Sequence, residues 1–283
     1  IHTLVGVAKS DVDAMRVSVM DLATSTNVSA KDAADGMYFI QSAGLRGAEA
    51  METLEAASKA SAIGLGEVAT IADLATSALN AYSATGLTAT EATDILIAAV
   101  REGKLAPEEL AGSMGRVLPI ASNLGVSFNE VGAAMAAMSR TGTNAAEGAT
   151  QLRSILQAFV KPSSEAAEAM ASVGTSAAEI RQKIKNDGLL STLKDLNETF
   201  GDNDELQAVV FGRMRALTGV MDLLGQNTKD TEKIFASMED TTGLLNNAFE
   251  EQQKSAGFKL EQAIGQSQRA MEDLGRAAMP VLT

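Results

Sequence analysis

The feature that most constrains this chain is a phrase that starts a helix, stops it and keeps returning. "NVSAKDAADGMYFIQSAG" begins at Asn27, "GLTATEATDILIAAVREG" at Gly86 and "GVSFNEVGAAMAAMSRTG" at Gly125. Each opens on a hydroxyl residue (Ser29, Thr88 or Ser127) with an acid three positions later (Asp32, Glu91 or Glu130). That is the spacing of a capping box, in which the hydroxyl and the carboxylate satisfy the unpaired N–H groups of the first turn. Each phrase closes on a glycine, Gly44, Gly103 or Gly142, suited to the left-handed position that ends a helix. Punctuation this frequent allows only short helices, of roughly 12–18 residues, with loops of about three to six that make sequential helices antiparallel neighbours.

The first two phrases lie about 59 residues apart, from Asn27 to Gly86, and the offset persists beyond the first helix. Ala33 falls on Ala92, Asp35 on Asp94 and Gly44 on Gly103. "ASAIGLG" at 60–66 falls on "PIASNLG" at 119–125. A duplicated helical unit over residues 27–160 accounts for this. The helices are built from light residues, with only 4% aromatics and no Trp. Ala and Gly facing inward permit close backbone approach and bury less apolar area per helix.

After "FVKPSSEAAEAM" the pattern changes, with Pro162 stopping one helix and Ser163 or Ser164 capping the next. Helices are expected around 176–199 and 203–225, the first carrying Leu189, Leu190, Leu193, Leu196 and Phe200 as a broad stripe. From Asn227 apolar or small residues recur at Ile234, Met238, Thr242, Leu245, Phe249, Ala256, Leu260, Ile264, Met271, Leu274, Ala278 and Leu282. This spacing predicts one long helix of about 75 Å, softened by Gly243, Gly257, Gly265 and Gly275. The expected architecture is therefore all-α: short antiparallel helical hairpins, partly duplicated, then a long C-terminal helix. Its segments are 1–26, an N-terminal helix; 27–160, a duplicated hairpin bundle; 161–226, a second helical segment; and 227–283, the long helix.

Composition narrows the function classes. The net charge of −13 argues against a nucleic-acid surface, which needs clustered Lys and Arg, and against docking on anionic lipid. There is no cysteine, hence no disulfide framework and no thiolate metal site. The longest purely apolar run, "ILIAAV" at 95–100, is far short of the roughly 18 residues of a membrane span. The chain opens on "IHTLVG" and closes on "AAMPVLT", and it reads as a piece of something longer.

Candidate chemistry is sparse. The sole histidine, His2, has no ligand set near it in sequence. "GLGEVA" at 64–69 has the glycine spacing of a dinucleotide loop but follows a helical stretch rather than a strand. "DNDELQAVVFGR" from Asp202 begins like a calcium loop, yet it has Gln207 where the turn glycine belongs and Arg213 where the bidentate Glu belongs. A helix N-terminus with acids against its dipole fits that segment better. Met135 with Met138, and Met214 with Met221, have the spacing of core-facing gap-fillers. No catalytic, cofactor-binding or metal residues are assigned, and the expected class is a structural or interaction protein that is not an enzyme.

The ordered series of segments resembles the core region of phage tail tape measure proteins. It runs through "AADGMYFIQSAGLRGAEAMETLEAA" at 33–57, "IADLATSALNAYSATGLTATEATDIL" at 71–96 and "LAPEELAGSMGRVLPIASNLGVSFNEVGAAMAAMSRTGTNAAEGATQLRSIL" at 105–156. "FVKPSSEAAEAMASVG", "VVFG" at 209–212 and "AIGQSQRAMEDLGRAAMPVL" continue it, while "VGTSAAEIRQKI" departs from the glycine-rich stretch common in the family. The resemblance implies a structural virion protein that lies in the tail tube lumen, sets tube length during assembly in the host cytoplasm and leaves ahead of the genome. It implies as partners the tail tube protein, tail assembly chaperones, tail-tip or baseplate proteins and, at infection, the host envelope. Homo-oligomers through the long helix and no specific nucleic-acid binding are further expectations. The competing classes are a helical coiled-coil signalling or secretion-associated protein and a pore-forming helical toxin.

Overall fold

A computed structural model describes residues 9–201, 203–212, 214–225 and 228–282, and among these the chain is all-α, without a strand. Helices α1 (Lys9–Thr26), α2 (Ala30–Ser42), α3 (Gly47–Ala62) and α4 (Val68–Ala81) come first. A short 3-10 turn, Ser83–Thr85, leads to α5 (Ala89–Glu102), α6 (Pro107–Met114), α7 (Leu118–Leu124), α8 (Phe128–Arg140) and α9 (Ala145–Val160). Next are α10 (Ser164–Ser172), α11 (Ala177–Asp187), α12 (Leu189–Phe200), α13 (Asp204–Phe211), α14 (Met214–Leu224) and α15 (Thr228–Ser237). The last two are α16 (Leu244–Lys254) and α17 (Ala256–Leu282).

The helix starts follow the caps. Ser29 accepts from Asp32 N–H, Thr88 from Glu91 N–H and Ser127 from Glu130 N–H. In the last two the acid also accepts from the cap residue's own N–H, completing the box. Ser163 caps α10 in the same way after Pro162. The starts of α2 and α5 keep the interval of the repeat, but the segment between them does not. Where the first stretch has one helix, α3, the second divides into α6 and α7 at Gly115–Val117, ahead of Pro119.

By its internal contacts the chain forms two compact units. One unit joins the chain up to Thr76 with the chain from Gly243 onward, and the other is Ser77–Thr242. The first division falls inside α4, where a break in composition gives no sign of it. In the first unit α1, α2 and α3 pack on one another, α16 lies on α3, and α17 lies on α16 and α1. Met37, Ile40 and Leu54 are fully buried there, and a Cβ on Gly36 would come within 2.6 Å of Val68 Cγ1. Phe249 and Phe258 meet edge to face at 5.8 Å.

The second unit is organised around α8 and α9. Helix α8 touches α5, α7, α9, α14 and α15, and every residue from Val131 to Ser139 is buried. A helix enclosed on all sides has no outer face for large side chains, which is why it consists of Gly132, Ala133, Ala134, Ala136 and Ala137 with two methionines. The light composition serves enclosure.

Three expectations change. Gly44 and Gly142 do take left-handed backbone, with φ of 102° and 100°, but Gly103 is extended at φ −94°, ψ −174°. Its glycine is required by proximity: a Cβ there would lie 2.8 Å from Ser139 Oγ and 3.1 Å from Ala136 Cα on α8. The helices expected over 176–199 and 203–225 are each broken by a left-handed glycine, Gly188 (φ 85°) and Gly212 (φ 55°). The single long helix from 227 is in fact α15, α16 and α17, so the chain does end in a long helix, but one that starts at Ala256. Asp240 accepts from Thr242 N–H to form a tight turn before Gly243 (φ 80°), and Ser255 is extended and caps Phe258 N–H at 3.1 Å. At 27 residues α17 is about 40 Å long.

Candidate functional site

The residues singled out in sequence are dispersed by the fold. His2, Asp202 and Arg213 lie outside the described residues. Gly64 and Gly66 form a loop between α3 and α4, both helices, with φ of 89° and 124°. Asn203 accepts from Leu206 N–H and opens α13, while Gln207 donates to Asn197 Oδ1 at 3.2 Å, so that segment is a helix start. Met135 and Met138 are buried core residues. Met214 and Met221 are not: they are 78% and 62% exposed, correcting the core-facing assignment. Both lie on one face of α14, but the inward face belongs to Ala216, Gly219, Val220 and Leu223. A Cβ on Gly219 would already come within 3.0 Å of Gln151 Cβ and Ile155 Cδ1. Seven-residue spacing identifies a face without saying which way it looks.

Among the described residues no group of three His, Cys, Asp or Glu side chains could hold a metal ion. A cleft of about 540 Å³ opens beside the start of α8, lined in part by Ser127, Glu130, Asp187, Glu232 and Phe235. Two of its acids, Glu130 and Glu232, are tied into the scaffold. Glu130 Oε2 accepts from Ser127 N–H at 2.9 Å, and Oε1 accepts from Leu189 N–H at 2.6 Å, so one carboxylate caps both α8 and α12. Gly188 makes room for it, since a Cβ there would lie 2.7 Å from Glu130 Oε1. Glu232 pairs with Lys194, and Asn129 donates to the Met238 carbonyl at 2.6 Å. These groups hold helices together and present no poised acid and base. A second cleft, of about 750 Å³, is walled by Ile120, Ala158, Val160, Pro162, Val210 and Phe211.

Tyr82 is a buried titratable group with a strong perturbation. Its hydroxyl donates to the Val126 carbonyl at 2.9 Å, and burial, helped by the charge of Glu130, pushes the phenol well above its usual value of 10.0. That arrangement is a packed hydrogen bond joining the end of α4 to the loop before α8.

The surface feature with functional content is α17. Phe258, Gln262, Gly265 and Arg269 share the face turned to the rest of the first unit and are buried or half-buried. On the opposite face Leu260, Ile264 and Met271 are 64%, 51% and 70% exposed. The apolar stripe that sequence periodicity assigns to packing thus looks outward, and the helix is held by its other side. "EDTTG" at 239–243 has turn composition and separates α15 from α16, whereas the break before α17 is carried by Ser255 alone, whose hydroxyl caps Phe258 N–H. No described helix is long and apolar enough to cross a membrane.

Comparison with known proteins identifies the family. A tape measure protein of Pneumococcus phage Dp-1 is 24% identical over 268 residues, covering 94% of this chain and 23% of that protein. The chain therefore spans less than a quarter of that relative's length. No solved structure matches. The family profile described as phage-related minor tail protein matches residues 16–274, and this chain belongs to that family of phage tail structural proteins.

Proposed function

We propose that this chain is a segment of a tape measure protein that occupies the lumen of the tail tube, sets the length to which the tube grows and leaves through it ahead of the genome. Family membership over residues 16–274 is the observation that carries the reading. The helical content supports it physically, because a chain laid out as helix advances about 1.5 Å per residue and ties gene length to tube length. Small inward residues support passage, since helices without a large aromatic core open with less buried area to expose.

In this reading the partners are the tail tube protein, assembly chaperones and tail-tip or baseplate proteins, with the host envelope met at infection. Copies of the chain associate along α17 through Leu260, Ile264 and Met271, the exposed stripe opposite its docked face. Replacing Leu260 and Ile264 by serine is expected to return associated chains to monomers in sedimentation; unchanged association would remove α17 from the contact.

The deciding experiment deletes residues 77–242 from the parent gene and measures tails by electron microscopy. Shortening by up to about 250 Å is expected if those residues lie along the tube as helix. Tails of unchanged length would refute the ruler role of this region and leave it a part in initiation or delivery.

A further inference from the structure

The first unit is made from two separated parts of the chain, up to Thr76 and from Gly243, while the second is the continuous stretch between them. This connectivity has a mechanical consequence. As long as the two parts of the first unit stay together, Thr76 and Gly243 belong to one body, and tension applied at the chain ends does not reach residues 77–242. We propose that the chain, pulled from its two ends, opens in a fixed order: the clasp between α1 and α17 first, then the rest of the first unit, and the second unit only afterwards.

The clasp is built to part at low force. Asn27 donates to Glu261 Oε2 at 2.8 Å, Thr24 lies 3.4 Å from the Arg269 guanidinium, and Arg269 pairs with Asp21. Residue numbers fall on α1 as they rise on α17, so the two helices are antiparallel and the far end of α17 lies toward the start of α1. Pulling their ends apart therefore breaks contacts one after another instead of shearing them all at once, and among the described contacts Arg269–Asp21 parts before Asn27–Glu261. The described contacts are weak, being polar, with the Asp21 side chain 60% exposed, while Leu260, Ile264 and Met271 are exposed on the opposite face of α17.

The next contacts in line are firmer. Phe258 packs on Phe249, Lys59 donates to Asn246 Oδ1 at 3.1 Å, and Lys59 Nζ sits 5.8 Å above the Phe249 ring. Once α16 leaves α3, Gly243 is free of the first body and tension passes to α15 and the enclosed helices α8 and α9. The order follows from connectivity and holds whether or not the tape-measure reading does. It is a sub-global opening sequence of the kind seen in other proteins without force.

Optical tweezers on the whole chain test it. The sequence has no cysteine, so one cysteine added at each end gives unique attachment points. The expected record is a first release of about 380 Å, the extended length of roughly 110 residues of the first unit, before a second of about 570 Å from residues 77–242. A first release of about 570 Å, or one event freeing the whole chain, overturns the proposal. Attachment instead at Asn80→Cys and Glu239→Cys should abolish the 380 Å event and leave the 570 Å one; persistence of the shorter event first would overturn it. Arg269→Ala should remove the earliest sub-step and leave the rupture force of the second event unchanged, whereas a fall in that second force would show that the order is wrong.

Discussion

Replacing Glu130 by alanine removes one carboxylate from two helix starts. Its Oε2 accepts from Ser127 N–H at 2.9 Å and from Ser127 Oγ at 3.1 Å, completing the α8 capping box. Its Oε1 accepts from Leu189 N–H at 2.6 Å, the first helical residue of α12. Loss of the box costs about 0.5–1 kcal/mol. The Leu189 side chain is fully buried, so water reaches its N–H poorly, and an orphaned buried donor costs about 1–3 kcal/mol more. The total for Glu130→Ala is about 1.5–4 kcal/mol.

Glu91 is the internal control. It makes the same box at α5, accepting from Thr88 N–H at 2.8 Å and from Thr88 Oγ at 2.9 Å, with no second helix to cap. Glu91→Ala should cost only about 0.5–1 kcal/mol. Urea unfolding followed by circular dichroism reads the difference as a midpoint shift, taken from the transition that moves, because two units can unfold separately. Amide exchange at Leu189 supplies the local readout and should accelerate in Glu130→Ala alone. Gly188→Ala, which would crowd Glu130 Oε1, should be markedly non-additive with Glu130→Ala. Equal losses for Glu130→Ala and Glu91→Ala, or unchanged exchange at Leu189, would refute the double cap.

Other outcomes follow from the same geometry. Gly103→Ala should destabilise by about 1–3 kcal/mol because its Cβ would meet α8, while Gly112→Ala, in open space on α6, should stabilise by about 0.5–1 kcal/mol; urea midpoints distinguish them. Met138→Ala should cost about 2–5 kcal/mol in the same assay, and Met214→Ala should stay within about 0.5, since the first is buried and the second exposed. The phenol of Tyr82 holds its proton more tightly folded than unfolded, so its contribution is complete below pH 10.0 and is lost as pH rises beyond that. Tyr82→Phe should flatten that alkaline loss in thermal melts between pH 9 and 11; an unchanged alkaline slope would show that Tyr82 does not cause it.

The legible part of the fold was local. Ser29, Thr88 and Ser127 could be read as caps because each bond spans three residues, and the all-α class followed from their repetition and from the scarcity of prolines. The family resemblance was also in the sequence, as an ordered series of otherwise weak segments. Of the candidate cleft, the sequence showed the Ser127–Glu130 capping box at its edge but not which elements wall it. The double role of Glu130 was not readable, because its second partner, Leu189, lies 59 residues away.

Sequence alone thus determined where helices begin, that the fold is all-α, and which family the chain joins. These depend on neighbours within a turn or two, or on pattern along the chain. Tertiary structure decided what each face is for. It made Gly103 a contact residue, turned Met214 and Met221 outward, and left Leu260, Ile264 and Met271 of α17 exposed. It also built one unit from two separated parts of the chain, with the other unit continuous between them in sequence. A helix's period fixes which residues share a face, but only the elements packed against it determine which face is buried.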